Sequence, residues 1–142
     1  MLRDRAEFVR GFESLAGRSR LVKVGEEDAS LLYASELDIL RTQLSEDGAE
    51  VVLATAGAAG AVLQTGGTVV NAPIAAAPGG VVDTMGAGDA VFASVVASMV
   101  RDAPADAPTW EEALEQAMAI AAATVRFHGA LRACPARPRP RR

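Results

Sequence analysis

Apolar and polar positions recur along the chain in two periods, and the switches between them mark out helices and strands in turn. Asp4 can cap a helix that runs to about Leu15, with Phe8, Phe12 and Leu15 on one stripe and Gly17 beyond its end. A short strand, Leu21 to Val24, follows. Gly25 to Tyr33 then reads as a turn entering a helix whose first turn carries Glu26, Glu27 and Asp28, three acids that complement the helix dipole. A further helix spans about Glu36 to Ser45. Gly48 turns the chain into an apolar strand, Glu50 to Thr55, bordered by the small-residue loop Ala56-Gly57-Ala58-Ala59-Gly60. Ala61 to Gln64 and Thr68 to Asn71 predict a hairpin joined across Thr65-Gly66-Gly67.

After the loop Ala72 to Gly80, Val81-Val82 lead into a glycine turn and a helix from about Gly86 to Val100. Val91, Phe92, Val95, Val96 and Met99 make that helix apolar nearly all round, which predicts burial on several sides with only its N-terminus facing solvent. In the final helix Thr109 to Glu112 form a capping box, Trp110, Leu114, Ala117, Met118, Ala121 and Val125 recur at helical spacing, and Gly129 can end it. His128 in its last turn complements the C-terminal dipole. Residues 134–142, with three prolines, cannot form regular structure and are expected to be a disordered tail.

With 142 residues, half of them apolar, the chain can bury the core of one soluble domain. A net charge of −4 argues against a dedicated nucleic-acid surface, and the arginines gathered at the C-terminal end leave the body more acidic still. Cys134 is the only cysteine, so an internal disulfide or a cysteine-based zinc site is excluded, which fits a reducing compartment. No apolar run approaches the roughly 20 residues of a membrane span, and Met1 to Arg5 lack the apolar core of a signal peptide. A cytoplasmic location with no membrane partner is the resulting expectation.

The chemistry concentrates in Val81-Val82-Asp83-Thr84-Met85-Gly86-Ala87-Gly88-Asp89-Ala90. Small residues at 86–88 leave the backbone uncovered at the start of a helix, where N–H groups and the macrodipole together favour an anion. Asp89 follows where a carboxylate could take a proton from an attacking hydroxyl. A Walker-type phosphate loop is absent, and Lys23, the only lysine, is far along the sequence from any glycine loop of that kind.

Asp83-Thr84-Met85-Gly86-Ala87-Gly88-Asp89 is similar to the signature of the ribokinase-like, or PfkB, carbohydrate kinases. Three further blocks agree in order and spacing. Leu21 to Ala29 resembles the family's strand and acidic turn, Thr55 to Gly60 its Thr-x-Gly-x-x-Gly nucleotide loop, and Ala119 to Ala130 its closing small-residue helix. The flavour is most similar to bacterial fructokinase-type members.

The resemblance implies an α/β chain: residues 1–133 as the C-terminal half of a ribokinase-like three-layer α/β/α fold, with an incomplete sheet. It implies transfer of the ATP γ-phosphoryl group to a hydroxyl of a sugar or related small polyol. Asp89 would be the general base, with backbone N–H groups of Gly86, Ala87 and Gly88 as the anion hole. Thr55 and Gly57 would approach the nucleotide phosphates, Gly60 would shape the turn, and Asp83 and Thr84 belong to the same nucleotide-side motif. Mg²⁺ would sit mainly on phosphates and water, and Asp83 would help to hold a monovalent cation in members that use one. Where the family's acidic turn has Asn or Ser and then Glu, this chain has Gly25 and Asp28, which leaves Asp28 as the indirect metal-side acid.

Family members are about twice as long, and the part without a counterpart here supplies the sugar-binding residues and the lid. The resemblance therefore implies exposed apolar surface, including parts of the 91–99 helix, and a partner that is either the N-terminal half or another copy of the chain. Two other readings stay open from the residues alone. One is a non-catalytic remnant that binds nucleotide or anions, and the other is a structural or regulatory partner that associates through its sheet edge.

Overall fold

The structure, a computed structural model, describes residues 4–76 and 79–128. Helix α1 (Arg5–Ala16) starts where the Asp4 carboxylate accepts the Glu7 N–H. Strand β1 (Val22–Gly25) leads directly into the single helical turn α2 (Glu26–Asp28), which widens into a π-helical turn at Ala29–Tyr33. Helix α3 (Leu37–Glu46) precedes β2 (Val51–Thr55). A 3₁₀ turn at Gly57–Ala59 separates β2 from the hairpin β3 (Ala61–Thr65) and β4 (Thr68–Ala72). Helices α4 (Ala87–Arg101) and α5 (Ala107–Thr124) complete the described chain.

The four strands form one open mixed sheet in the order β1-β2-β3-β4. Strand β1 runs parallel to β2, with Val22 opposite Val52 and Gly25 opposite Thr55, and the remaining pairings are antiparallel. Val51 and Leu53 turn to one face, where they pack with Leu63, Val70, Val91, Val95, Trp110, Leu114 and Met118. Val52 and Ala54 turn to the other, with Val22, Val24, Ala16, Leu40 and Leu44. Helices therefore cover both faces, and β2 has no solvent side: Val51 to Ala54 are all buried, as a strand covered twice requires. Arg41 of α3 adds a polar clasp, donating to Gln64 of β3 and to Asp38. No helix among the described residues is long and apolar enough to cross a membrane.

The elements follow the periodicity of the sequence, with four differences. The first helix forms, but its apolar stripe does not bury: Phe8 and Leu15 are exposed, Phe12 packs only at the margin, and Ala16 is the residue of α1 that reaches the core. Helix α4 buries a single face through Val91, Val95 and Ser98, while Phe92, Val96 and Val100 meet solvent. The capping box at the start of α5 lies three residues earlier than expected. The Asp106 carboxylate accepts the Thr109 N–H at 3.1 Å, and the Thr109 hydroxyl accepts the Asp106 N–H at 3.2 Å. Asp106 wins because an aspartate cap with Pro108 in the first turn, where no N–H is needed, starts the helix before Thr109 can. At the other end α5 stops at Thr124, so His128 stands beyond the helix. Gly129, and the tail at 134–142, lie outside the described residues.

Candidate active site

The parallel pair β1/β2 places Gly25 and Thr55 side by side at the carboxyl ends of their strands, the position where α/β sheets take ligands. The Thr55 hydroxyl donates to the Val24 carbonyl at 3.4 Å, fixing its rotamer across the two strands. Beyond Thr55 the chain makes its 3₁₀ turn through Gly57, whose φ of +48° is left-handed and whose Cα faces open space. Gly60 closes the turn. A Cβ there would lie 2.3 Å from the Ala72 carbonyl oxygen, so the loop can return to β3 only without a side chain.

From the other side comes the turn before α4. The N–H groups of Val82 and Asp83 both donate to the Val125 carbonyl, at 2.8 and 3.1 Å, which ties this segment to the end of α5. The Asp83 carboxylate accepts the Met85 N–H at 2.9 Å and bends the chain toward Gly86. Gly86, at φ 81°, is the left-handed N-cap that glycine alone adopts cheaply. Among the described residues the N–H groups of Gly86, Gly88 and Asp89 donate to no carbonyl, whereas that of Ala87 donates to Thr84 at 3.2 Å. Of the three N–H groups expected to face an anion, that of Ala87 is engaged within the tight turn and those of Gly86 and Gly88 are not.

These two sides enclose a cavity of about 650 Å³. Thr55, Gly57 and Gly60 line it from the sheet, Thr84, Ala87 and Gly88 from the helix start, and Gly25, Glu26, Glu27 and Asp28 from the acidic turn. Its apolar wall is Ile74, Val81, Val91, Met118, Ala121 and Val125. Asp83, Gly86 and Asp89 are not on that lining. Asp89 is exposed in the first turn of α4, next in sequence to the lining residue Gly88. Asp28 accepts the Gly25 N–H at 2.8 Å, so one of its oxygens already caps α2. Among the described residues no three His, Cys, Asp or Glu side chains gather as a metal site.

Sequence reasoning missed Lys23. Its position on β1 is remote from the glycine turn along the chain, yet its side chain crosses to α4, where a Cβ on Gly88 would come within 3.0 Å of Nζ. No local pattern announces this contact, which exists only because β1 and α4 border the same cavity.

A family model described as pfkB family carbohydrate kinase matches residues 1–137. No curated protein matches the sequence. Among solved structures, aminoimidazole riboside kinase from Salmonella enterica, crystallised with aminoimidazole riboside and an ATP analog, superimposes with a TM-score of 0.77 at 28% identity, over 89% of this chain and 42% of that one. A ribokinase from Arabidopsis thaliana complexed with ribose and ATP has a TM-score of 0.70 at 26% identity, over 83% and 38%. Adenosine kinase from Sinorhizobium meliloti, at 24% identity and a TM-score of 0.72 over 93% and 38%, shares the fold. The chain spans about two-fifths of the length of these structures, and its four-stranded open sheet corresponds to an incomplete ribokinase-like fold.

Proposed function

Since the chain belongs to the pfkB family of carbohydrate kinases, we propose that it carries the nucleotide side and the catalytic base of an ATP-dependent sugar or nucleoside kinase. The carrying observation is the cavity between the Thr55 to Gly60 loop and the start of α4, which joins polar loops to an apolar wall. The apolar wall suits a flat base and the uncovered backbone of Gly57 and Gly88 suits phosphates. Asp89, in the first turn of α4, accepts the proton of the substrate hydroxyl as its oxygen bonds to the γ-phosphorus. The bond from that phosphorus to the β-bridging oxygen breaks, and ADP leaves. The loose transition state needs positioning and charge stabilisation more than a strong base, so an ordinary carboxylate suffices.

Glu26, Glu27 and Asp28 line the cavity, with one Asp28 oxygen engaged by Gly25, and these acids would hold Mg²⁺ indirectly, the ion being bound chiefly by phosphates and water. When bound it would neutralise phosphate charge. The walls that hold the sugar belong, on this reading, to the part of the family fold that this chain does not span, supplied by an N-terminal half. Likeness to the riboside kinase and the ribokinase supports a pentose-bearing substrate at least as well as a fructokinase-type one. A cytoplasmic setting, where ATP is available, accords with such a role.

The test is ADP release with ATP, Mg²⁺ and a panel of sugars and nucleosides, with the chain alone and mixed with the N-terminal half of a family member. Turnover in the mixture that is lost in Asp89→Asn is the expected result. A mixture that binds no ATP and turns over nothing refutes the reading.

A further inference from the structure

Unfavourable features collect in residues 29–34, directly behind the acidic edge of the cavity. Glu26, Glu27 and Asp28 line the cavity as the turn α2, and the chain widens without a break into the π-helical turn Ala29–Tyr33. A π turn accommodates one residue more than an α turn, and such turns recur at functional sites. Ala34 ends it at φ 49° and ψ 40°, a left-handed cap that glycine fills at little cost and alanine does not. The Tyr33 hydroxyl oxygen is the only buried side-chain oxygen or nitrogen without a hydrogen-bond partner among the described residues. The far end of the segment is fixed to the body. There the Tyr33 ring packs against the cluster that contains Leu40 and Leu44, and Arg5 Nε donates to the Leu32 carbonyl at 2.8 Å. The near end is held beside the cavity, where the Asp28 carboxylate accepts the Gly25 N–H at 2.8 Å. A ligand that draws on the acids of α2 therefore pulls against a fixed end, and the widened turn between them is where the chain can give. We propose that residues 29–34 form a two-state hinge coupled to nucleotide binding. With ATP in the cavity the π turn closes to α geometry, Ala34 leaves the left-handed region and the Tyr33 hydroxyl gains a partner. This rests on the kinase reading and adds a conformational step to it. Ligand binding shifts such an equilibrium only by its differential affinity for the two states, so whatever stabilises the empty arrangement weakens ATP.

Ala34→Gly and Tyr33→Phe each remove one unfavourable feature from the empty arrangement, which gives a signature that ordinary damage cannot. Both should raise the melting temperature of the empty chain and yet weaken ATP in calorimetric titration. We expect a loss of roughly threefold to tenfold for Ala34→Gly, from relief of the left-handed alanine. Tyr33→Phe should lose affinity by a comparable factor, roughly that of one buried hydroxyl left unpaired. The wild-type chain supplies an independent readout. Tyr33 is its only tyrosine and is not on the cavity lining, so a shift of the isotope-labelled tyrosine ring resonance on adding ATP reports transmitted motion. Unchanged ATP affinity in either variant overturns the hinge and leaves the kinase reading intact. ATP bound by the wild-type chain with no shift of the tyrosine resonance does the same. A wild-type chain that binds no ATP overturns both the hinge and the kinase reading.

Discussion

Gly60 and Ala72 meet backbone to backbone. A Cβ on Gly60 would stand 2.3 Å from the Ala72 carbonyl oxygen and 2.9 Å from the Pro73 Cα, and the φ of +98° is itself one that side chains avoid. A Cβ on Gly57, three residues earlier in the same loop, would meet nothing within 4 Å, and its φ is +48°. The two glycines are therefore present for different reasons.

Gly60→Ala should destabilise the fold by at least about 2 kcal/mol, combining backbone strain with a forced shift of β4. Gly57→Ala should cost only about 1 kcal/mol, because an isolated left-handed alanine is tolerated where no neighbour is met, yet it should weaken ATP binding by intruding on the phosphates. Urea denaturation of both variants, with calorimetric ATP titration of the second, distinguishes the roles. Equal destabilisation of the two would contradict the contact.

Asp89 is exposed in the first turn of α4. Asp89→Asn should leave thermal unfolding almost unchanged while lowering the rate of ADP release roughly 10²- to 10⁴-fold, the range for loss of a general base. A comparable fall in melting temperature would make the residue structural instead.

The Asp106 carboxylate is held below the ordinary carboxylate range by its hydrogen bond from the Thr109 hydroxyl, with the Thr109 N–H adding to it. A depressed carboxylate stabilises the fold above the unfolded-state pKa, and that contribution disappears as pH falls through the folded-state value. Asp106→Asn should keep the cap but flatten this part of the acid dependence, whereas Asp106→Ala should lower the melting temperature at every pH above it. Melting curves from mildly acidic to neutral pH test both expectations.

Burial pushes the Tyr33 hydroxyl up to about 12 from its ordinary 10.0, with the Glu13 and Asp47 carboxylates opposing ionisation further. Below pH 10 the phenol is protonated in both folded and unfolded chains and stability does not respond to it. Between 10 and 12 the unfolded chain releases the proton and the folded one retains it, so stability falls as pH rises. Tyr33 is the only tyrosine. Its phenolate absorbance should therefore appear near 12 in the folded protein, and Tyr33→Phe should remove the alkaline decline.

Features decided by neighbouring residues were legible in the sequence. Gly66-Gly67 requires the hairpin that joins β3 to β4, and Gly86 with the acids and small residues around it announces the turn into α4. Burial was less legible, because periodicity states which residues share a face and not what covers it. Phe8 and Leu15 form a regular stripe that stays exposed, and Phe92 and Val96 look as buried in sequence as Val91 and Val95 do. The α5 cap shifted because Asp106 and Thr109 are both competent caps and only the path of the chain chooses between them. Lys23 was beyond local reasoning altogether, since its meeting with Gly88 depends on how the sheet sets β1 beside α4.

Trp110 and Tyr33, the only residues of their kinds, pack into different clusters, one beneath α4 and α5 and the other on the opposite side of the sheet. Nature has thus given each layer its own optical label. Tryptophan emission reports one face and tyrosine absorbance the other, and both faces share β2. If that shared strand makes the layers a single cooperative unit, the two signals are lost together on denaturation, and staggered loss would mean that the strand does not couple them.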